Sequence, residues 1–257
     1  MRGKQNSLLT RISSKQPNVF SVHCTCHAVH LCACDACKKI PGNLDDFLRL
    51  VVHFFEKSTK RTAAFKEYEK AAGVLVRELI KPSTTRWLSF HDGVLRVLDQ
   101  WEALLHYFSK CPSVKQLDRA KSFVQTMEKP ETKAFLLFFS EALTIFTSFN
   151  RKFQEKTVVH VAAELIQELY TTLLFNFIQP SVIRSASNIT DVILDAQDTY
   201  LLPEKVVICT EARYIIVKLP THRSNAFMIS CLEFYLDAAK QVKKGSISPA
   251  LSSHHYD

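Results

Sequence analysis

The run Ala134-Phe135-Leu136-Leu137-Phe138-Phe139 leaves no polar side for water to cover, whichever way a helix through it is turned. It lies within Glu131 to Phe153, a segment without internal proline or glycine and led by Pro130, a residue favoured in a first helical turn. A helix apolar all round is stable only when other elements enclose it. The rest of the chain has to supply them, and its apolar residues recur mostly at helical spacing. Asn43 to Lys57 places Leu44, Phe47, Leu48, Val51, Phe54 and Phe55 on one face, with Asn43 as N-cap and Asp45 and Asp46 in the first turn. Thr62 to Ile80 follows with Phe65, Tyr68, Ala72, Leu75, Val76 and Leu79, until Lys81-Pro82-Ser83 breaks it. Trp87 to Phe108 carries Val94, Leu95, Leu98, Trp101, Leu105 and Phe108, so Trp87 and Trp101 are predicted core anchors rather than base-stacking platforms. Further helices are predicted over Val114 to Met127, Val158 to Ile178 and Asn225 to Lys244. Five glycines among 257 residues, against eighteen phenylalanines, agree with a mainly α protein of long antiparallel hairpins.

Three short stretches read otherwise. Val19 to Val22, Lys205 to Cys209 and Arg213 to Lys218 have the β-branched content of strands, which would make a small, incomplete sheet. Ile183 to Asn188 reads as a connector, Val192 to Leu201 as helical, and the polar tail from Gly245 to Asp257 as disordered.

The same composition narrows function. No GxGxxG, GxxxxGK[ST] or GxSxG can be assembled from Gly3, Gly42, Gly73, Gly93 and Gly245, and no HExxH occurs. The basic N-terminus lacks the apolar core of a secretory signal, and no apolar run reaches about 20 residues. An intracellular protein with reduced thiols and no membrane partner is the expectation. The net charge of +8 favours phosphate contacts, but its basic residues are dispersed, so attraction to nucleic acid would be non-specific. Lys57, Lys60, Arg61, Lys66 and Lys70 alternate with Glu56, Glu67 and Glu69 and read as a solvated face.

Cysteine and histidine concentrate between Val19 and Lys39, where five of the eight cysteines (24, 26, 32, 34, 37) join histidines 23, 27 and 30. From Thr25 the residues suit a helix that Pro41-Gly42 ends. His27, His30, Cys34 and Cys37 would share one face of it, spread over roughly 15 Å at a rise of about 1.5 Å per residue. Zinc takes about four ligands, each about 2.0 to 2.3 Å from one point, so a single ion cannot hold them all. His30 with Cys34, or Cys34 with Cys37, makes half a site, and no second CxxC or HxxxH completes it. Packing as small hydrophobes is the favoured reading, with a zinc site at His30, Cys34 and Cys37 as the alternative.

Cys24-Thr25-Cys26-His27, at the end of the predicted strand, resembles the CxxH motif of hAT-superfamily transposases and their domesticated relatives. Thr85-Arg86-Trp87-Leu88-Ser89 resembles the RW motif of that family. Between and after them, Phe54 to Arg61 (FFEKSTKR) and Val94 to Trp101 (VLRVLDQW) are similar to further family segments, and the similarity runs from Gly3 to Phe108. The resemblance implies a remnant of an RNase H-like α/β fold with a large helical insertion domain, in which Cys24, His27, Arg86 and Trp87 are structural positions. It divides the chain into a partial RNase H-like segment (1–42), a helical domain (43–180), a mixed C-terminal segment (181–244) and a tail (245–257). In the family, acidic residues bind two divalent ions about 3.5 to 4 Å apart that stabilise the attacking and leaving oxygens. By this comparison two of the three acids fall before Met1 and the third beyond the lysine-rich turn after Phe234-Tyr235, while Asp35, Asp45, Asp46 and Asp92 do not match catalytic positions. The implied protein is a catalytically inactive, nuclear interaction module for protein partners or DNA, with no cofactor and no small-molecule substrate. An incomplete piece of a larger transposase, a zinc-dependent binding module and an unrelated helical scaffold are the alternatives.

Overall fold

The structure, a computed structural model, describes residues 8–16, 24–81, 87–155 and 161–247. Its helices are α1 (Leu8–Lys15), α2 (Thr25–Cys37), α3 (Leu44–Glu56), α4 (Thr59–Ala71), α5 (Trp87–Asp99), α6 (Trp101–Lys110), α7 (Asp118–Met127), α8 (Pro130–Glu155), α9 (Ala162–Leu174), α10 (Pro180–Ser185), α11 (Thr210–Ile216) and α12 (Thr221–Val242). Short 3-10 turns at Ile189–Asp191, Gln197–Thr199 and Pro203–Lys205 connect α10 to α11.

The apolar run stands at the centre, as its composition requires. Ala134, Leu136 and Phe138 of α8 are wholly buried, and α2, α5, α7, α9 and α11 pack against this helix. From α12, Phe227 stacks on Phe135 at 4.3 Å, and Phe234 and Tyr235 meet Phe138 edge-on at 5.2 and 5.4 Å. Edge-to-face rings gain quadrupole attraction beyond the area they bury. Pro130–Gln154 is long and apolar enough to cross a membrane, but 61% of its most apolar window is buried inside the protein. A second aromatic cluster joins α3, α4, α6 and α7: Phe55 lies 4.8 Å from Phe65, and Phe108 lies 4.9 Å from Phe123. Within it, burial raises the Tyr107 phenol to about 12, and its hydroxyl donates to the Arg61 carbonyl at 3.4 Å.

Several local expectations change. The predicted helix over Thr62 to Ile80 ends at Ala71, because Gly73 takes φ +68° and closes the last turn. Gly73 N–H donates to the Lys70 carbonyl at 3.0 Å and Val74 N–H to the Glu69 carbonyl at 3.1 Å, the bonding of a left-handed glycine C-cap. The chain then runs without helix or strand from Val74 to Lys81. Trp87 to Phe108 is two helices that meet at Gln100, and Trp101 is buried as expected. Asn43 does precede α3, but its side chain accepts no capping hydrogen bond; Gly42 (φ 98°) and Asn43 (φ 47°) make a left-handed turn instead.

The strands predicted at Lys205 to Cys209 and Arg213 to Lys218 are corrected to a 3-10 turn with irregular chain and to α11. Burial against α8 sets their conformation: Val206, Ala212 and Ile216 enter the core, the last two at the i, i+4 spacing of a helix. Arg213 fixes the turn by donating to the carbonyls of Glu204 and Val206 at 2.7 and 2.8 Å. Val192 to Leu201 is likewise not helical beyond Gln197–Thr199, and the predicted connector after Pro180 begins as α10. Among the described residues the only β-pairing is an isolated antiparallel bridge between Ile178 and Tyr200. The predicted strand Val19 to Val22, the motif residue Arg86 and most of the predicted tail lie outside the described residues.

Candidate functional site

The Cys/His-rich stretch forms the helix expected of it. Cys24 precedes α2 with extended backbone, and Val29, His30, Cys32, Ala33 and Ala36 form the buried face. Small side chains on that face let α2 lie close to α12 and α8. Cys34 and Cys37 are half-buried and open, with Ile40, Leu44, Asp45 and Phe90, into a cleft of about 330 Å³. His30 Nε2 lies 3.6 Å from Cys34 Sγ, and the His27 ring stacks on His30 at a centroid distance of 6.0 Å. Three carboxylates near the helix end are paired: Asp35 with Lys38 at 2.6 Å, Asp45 with Arg49 at 2.9 Å, and Asp237 of α12 with Lys39 at 3.7 Å.

The structure thus brings together two of the three alternative zinc ligands, His30 and Cys34, and turns Cys37 into the same cleft. Of the motif residues, Cys24 and His27 are exposed, and Trp87 opens α5. Among the described residues no three His, Cys, Asp or Glu side chains are grouped to hold a metal ion. Burial, reinforced by Asp35, raises the Cys34 thiol from an ordinary 9.0 to about 11, and Cys32 likewise. Burial, with Cys34 and Asp45 nearby, holds Cys37 well above its ordinary value. Thiols so placed are protonated at neutral pH, and the thiolate is the form that attacks or ligates. Iodoacetamide is therefore expected to modify Cys34 about 100-fold more slowly than a cysteine in an unfolded peptide, as read by mass spectrometry. Equal rates would show an ionised thiol.

A second site surrounds Val74–Lys81 and has no signature in the sequence. Glu69, within a run that reads as a solvated face, is only 1% exposed. Its Oε1 accepts from the Arg77 backbone N–H at 3.1 Å and from the Gln100 side-chain amide at 2.5 Å. That amide also donates to the Arg77 carbonyl at 2.8 Å, so both backbone groups of Arg77 are taken up by side chains. Arg96 donates to the Glu78 carbonyl, and Lys81 pairs with Glu56 at 3.0 Å. Between this segment and α3 and α4 lies a cleft of about 500 Å³ lined by Phe55, Phe65, Lys66 and Leu79 among others. Gly73 was the one legible signal here, as a helix stop. The burial of Glu69 left no trace, because a glutamate between lysines looks the same whether or not another segment covers it.

Burial raises the Glu69 carboxyl above its ordinary value, against the lowering effect of the Arg77 N–H and of nearby Lys66 and Arg96. A carboxyl raised on folding binds more protons in the folded state, so stability falls as pH rises from the ordinary value of 4.5 through the raised one. Between pH 4 and 6 the wild type is expected to lose stability relative to Glu69→Gln, measured by urea unfolding. A constant difference would mean that Glu69 titrates as in the unfolded chain.

No family model matches the sequence, and no solved structure matches the fold.

Proposed function

We propose that this protein is a non-catalytic binding module of hAT-transposase ancestry, acting in the nucleus through protein contacts and non-specific attraction to DNA. The observation that carries this reading is that the inward-facing reactive side chains of the Cys/His helix, His30, Cys32, Cys34 and Cys37, are packed into the fold. Its buried thiols are protonated, Asp35 and Asp45 are neutralised by Lys38 and Arg49, and His30 is packed against Cys34. What remains open to a partner is cleft and surface, on a chain of net charge +8. Such a charge draws in nucleic acid through counterion release, which salt weakens steeply.

The purified chain, incubated with duplex DNA and magnesium or manganese, is expected to bind weakly at low salt and to cleave nothing. Metal-dependent strand cleavage would overturn the proposal and favour a working part of a larger transposase. A zinc-dependent module is a second reading, resting on the 3.6 Å approach of His30 to Cys34. Elemental analysis showing stoichiometric zinc lost on replacing Cys34 by serine would establish it.

A further inference from the structure

We propose that the cleft between the start of α3, the turn from α7 to α8 and the first half of α12 binds a small aromatic carboxylate. The inference goes beyond the reading as a module for protein and DNA, because it assigns a small-molecule ligand. The cleft holds about 380 Å³, near the lower end of the range of about 300 to 1,000 Å³ that ligand pockets occupy. Leu44, Phe135 and Phe227 make its apolar floor, and the stacking of the two rings at 4.3 Å fixes that floor in place. Polar groups converge beside it. Glu131 accepts from Arg223 Nε at 2.5 Å and from Nη2 at 2.6 Å, which orients the guanidinium and leaves its Nη1 without an acceptor among the described residues. Lys129 lines the same cleft, is exposed, and forms no ion pair among the described residues. Thr132 is only 6% exposed, yet its hydroxyl has no hydrogen-bond partner among the described residues and is not sealed from solvent, so it opens to the cleft that it lines. Buried hydroxyls are normally hydrogen-bonded, and an unpartnered one facing a cleft is a place for a ligand's polar atom. Its position in the first turn of α8 adds the positive end of that helix's dipole.

Charge and floor select the ligand. Lys129 and Arg223 against Glu131 leave one positive charge, since the other lining residues are uncharged, so a monoanion neutralises the cleft. A carboxylate accepts hydrogen bonds only, and the unused groups that converge here, the Thr132 hydroxyl, the Lys129 ammonium and Arg223 Nη1, can all donate. Behind that head the floor is aromatic, so a flat ring gains contact with Phe135 and Phe227 beyond the area it buries. A cation would meet excess positive charge, and a neutral ring would leave the three donors unused.

The probe is naphthalene-2-carboxylate, titrated into the full chain and followed by amide NMR, with its methyl ester and acetate as the neutral and the ringless counterparts. The expected result is saturable shifts at Thr132 and Phe227, with the ester and acetate each binding at least about tenfold more weakly. Thr132→Val keeps the shape, removes the hydroxyl and is expected to weaken binding about tenfold. Lys129→Gln, at an exposed position, is expected to weaken it about threefold. Lys133→Gln removes the same charge from a residue directed at Glu102 and Trp101, and should leave the affinity unchanged. No saturable shift at Thr132, equal binding by the ester, or an affinity unmoved in both Lys129→Gln and Thr132→Val would overturn the inference. Loss of binding as the protein is concentrated would also overturn it, by putting a second copy of the chain in the cleft. Those outcomes leave the nuclease test standing, whereas strand cleavage would overturn the module reading whatever the carboxylate does.

Discussion

Replacing Phe138 by alanine is expected to lower stability by about 4 kcal/mol, read from urea unfolding. The ring is wholly buried at the middle of α8 and touches Phe139 of its own helix and Phe234 and Tyr235 of α12. Removing it forfeits transfer energy and opens a cavity between two helices whose backbones are held apart by other aromatic rings, so collapse is limited. Phe175, which is 43% exposed, supplies the contrast: its alanine variant is expected to change stability by less than about 1 kcal/mol. Similar losses at both positions would mean that α8 is not enclosed.

Glu69→Ala carries the second large effect, about 3 kcal/mol, from two donors left without their acceptor and a small void at a buried site. The loss has a local signature as well. Without the carboxylate, Arg77 N–H has no partner, and Gln100 retains only its bond to the Arg77 carbonyl. Hydrogen exchange of Arg77 is expected to accelerate beyond what the global loss of stability explains. Gln100→Ala should reproduce part of this, and the double variant should fall short of the sum, because the two side chains act on the same segment. Additive effects would show that they stabilise it independently.

What the sequence made legible follows from which forces act locally. The centre of α8 and the face of α3 were readable because burial on a helix leaves a periodic trace: Leu44, Phe47, Leu48, Val51, Phe54 and Phe55 are all buried as their spacing demands. The helix of the Cys/His stretch was readable because few of its residues oppose helix and Pro41-Gly42 follows as a stop. Strand-like content at Val206 and Ile215-Ile216 misled, since β-branched residues serve equally to fill space against α8 and only the tertiary environment distinguishes the uses. Gly73 had a readable meaning that the apolar periodicity of Leu75, Val76 and Leu79 overrode, and those residues lie outside any helix, with Leu75 and Val76 exposed. Glu69 was beyond reach in principle: what covers it comes from residues 77 and 100, and no local pattern records that meeting.

The packing of α2 against α12 bears on how the chain is born. Synthesis proceeds from the N-terminus at about 5 to 20 residues per second, so roughly ten seconds or more separate the emergence of α2 from that of the helix that covers it. During that interval α8 also lacks the rings of Phe227, Phe234 and Tyr235. The nascent polypeptide thus exposes its most apolar helix and its cysteine-rich one until the last long helix leaves the ribosome, a period in which shielding from aggregation and from thiol oxidation matters more than at any later time.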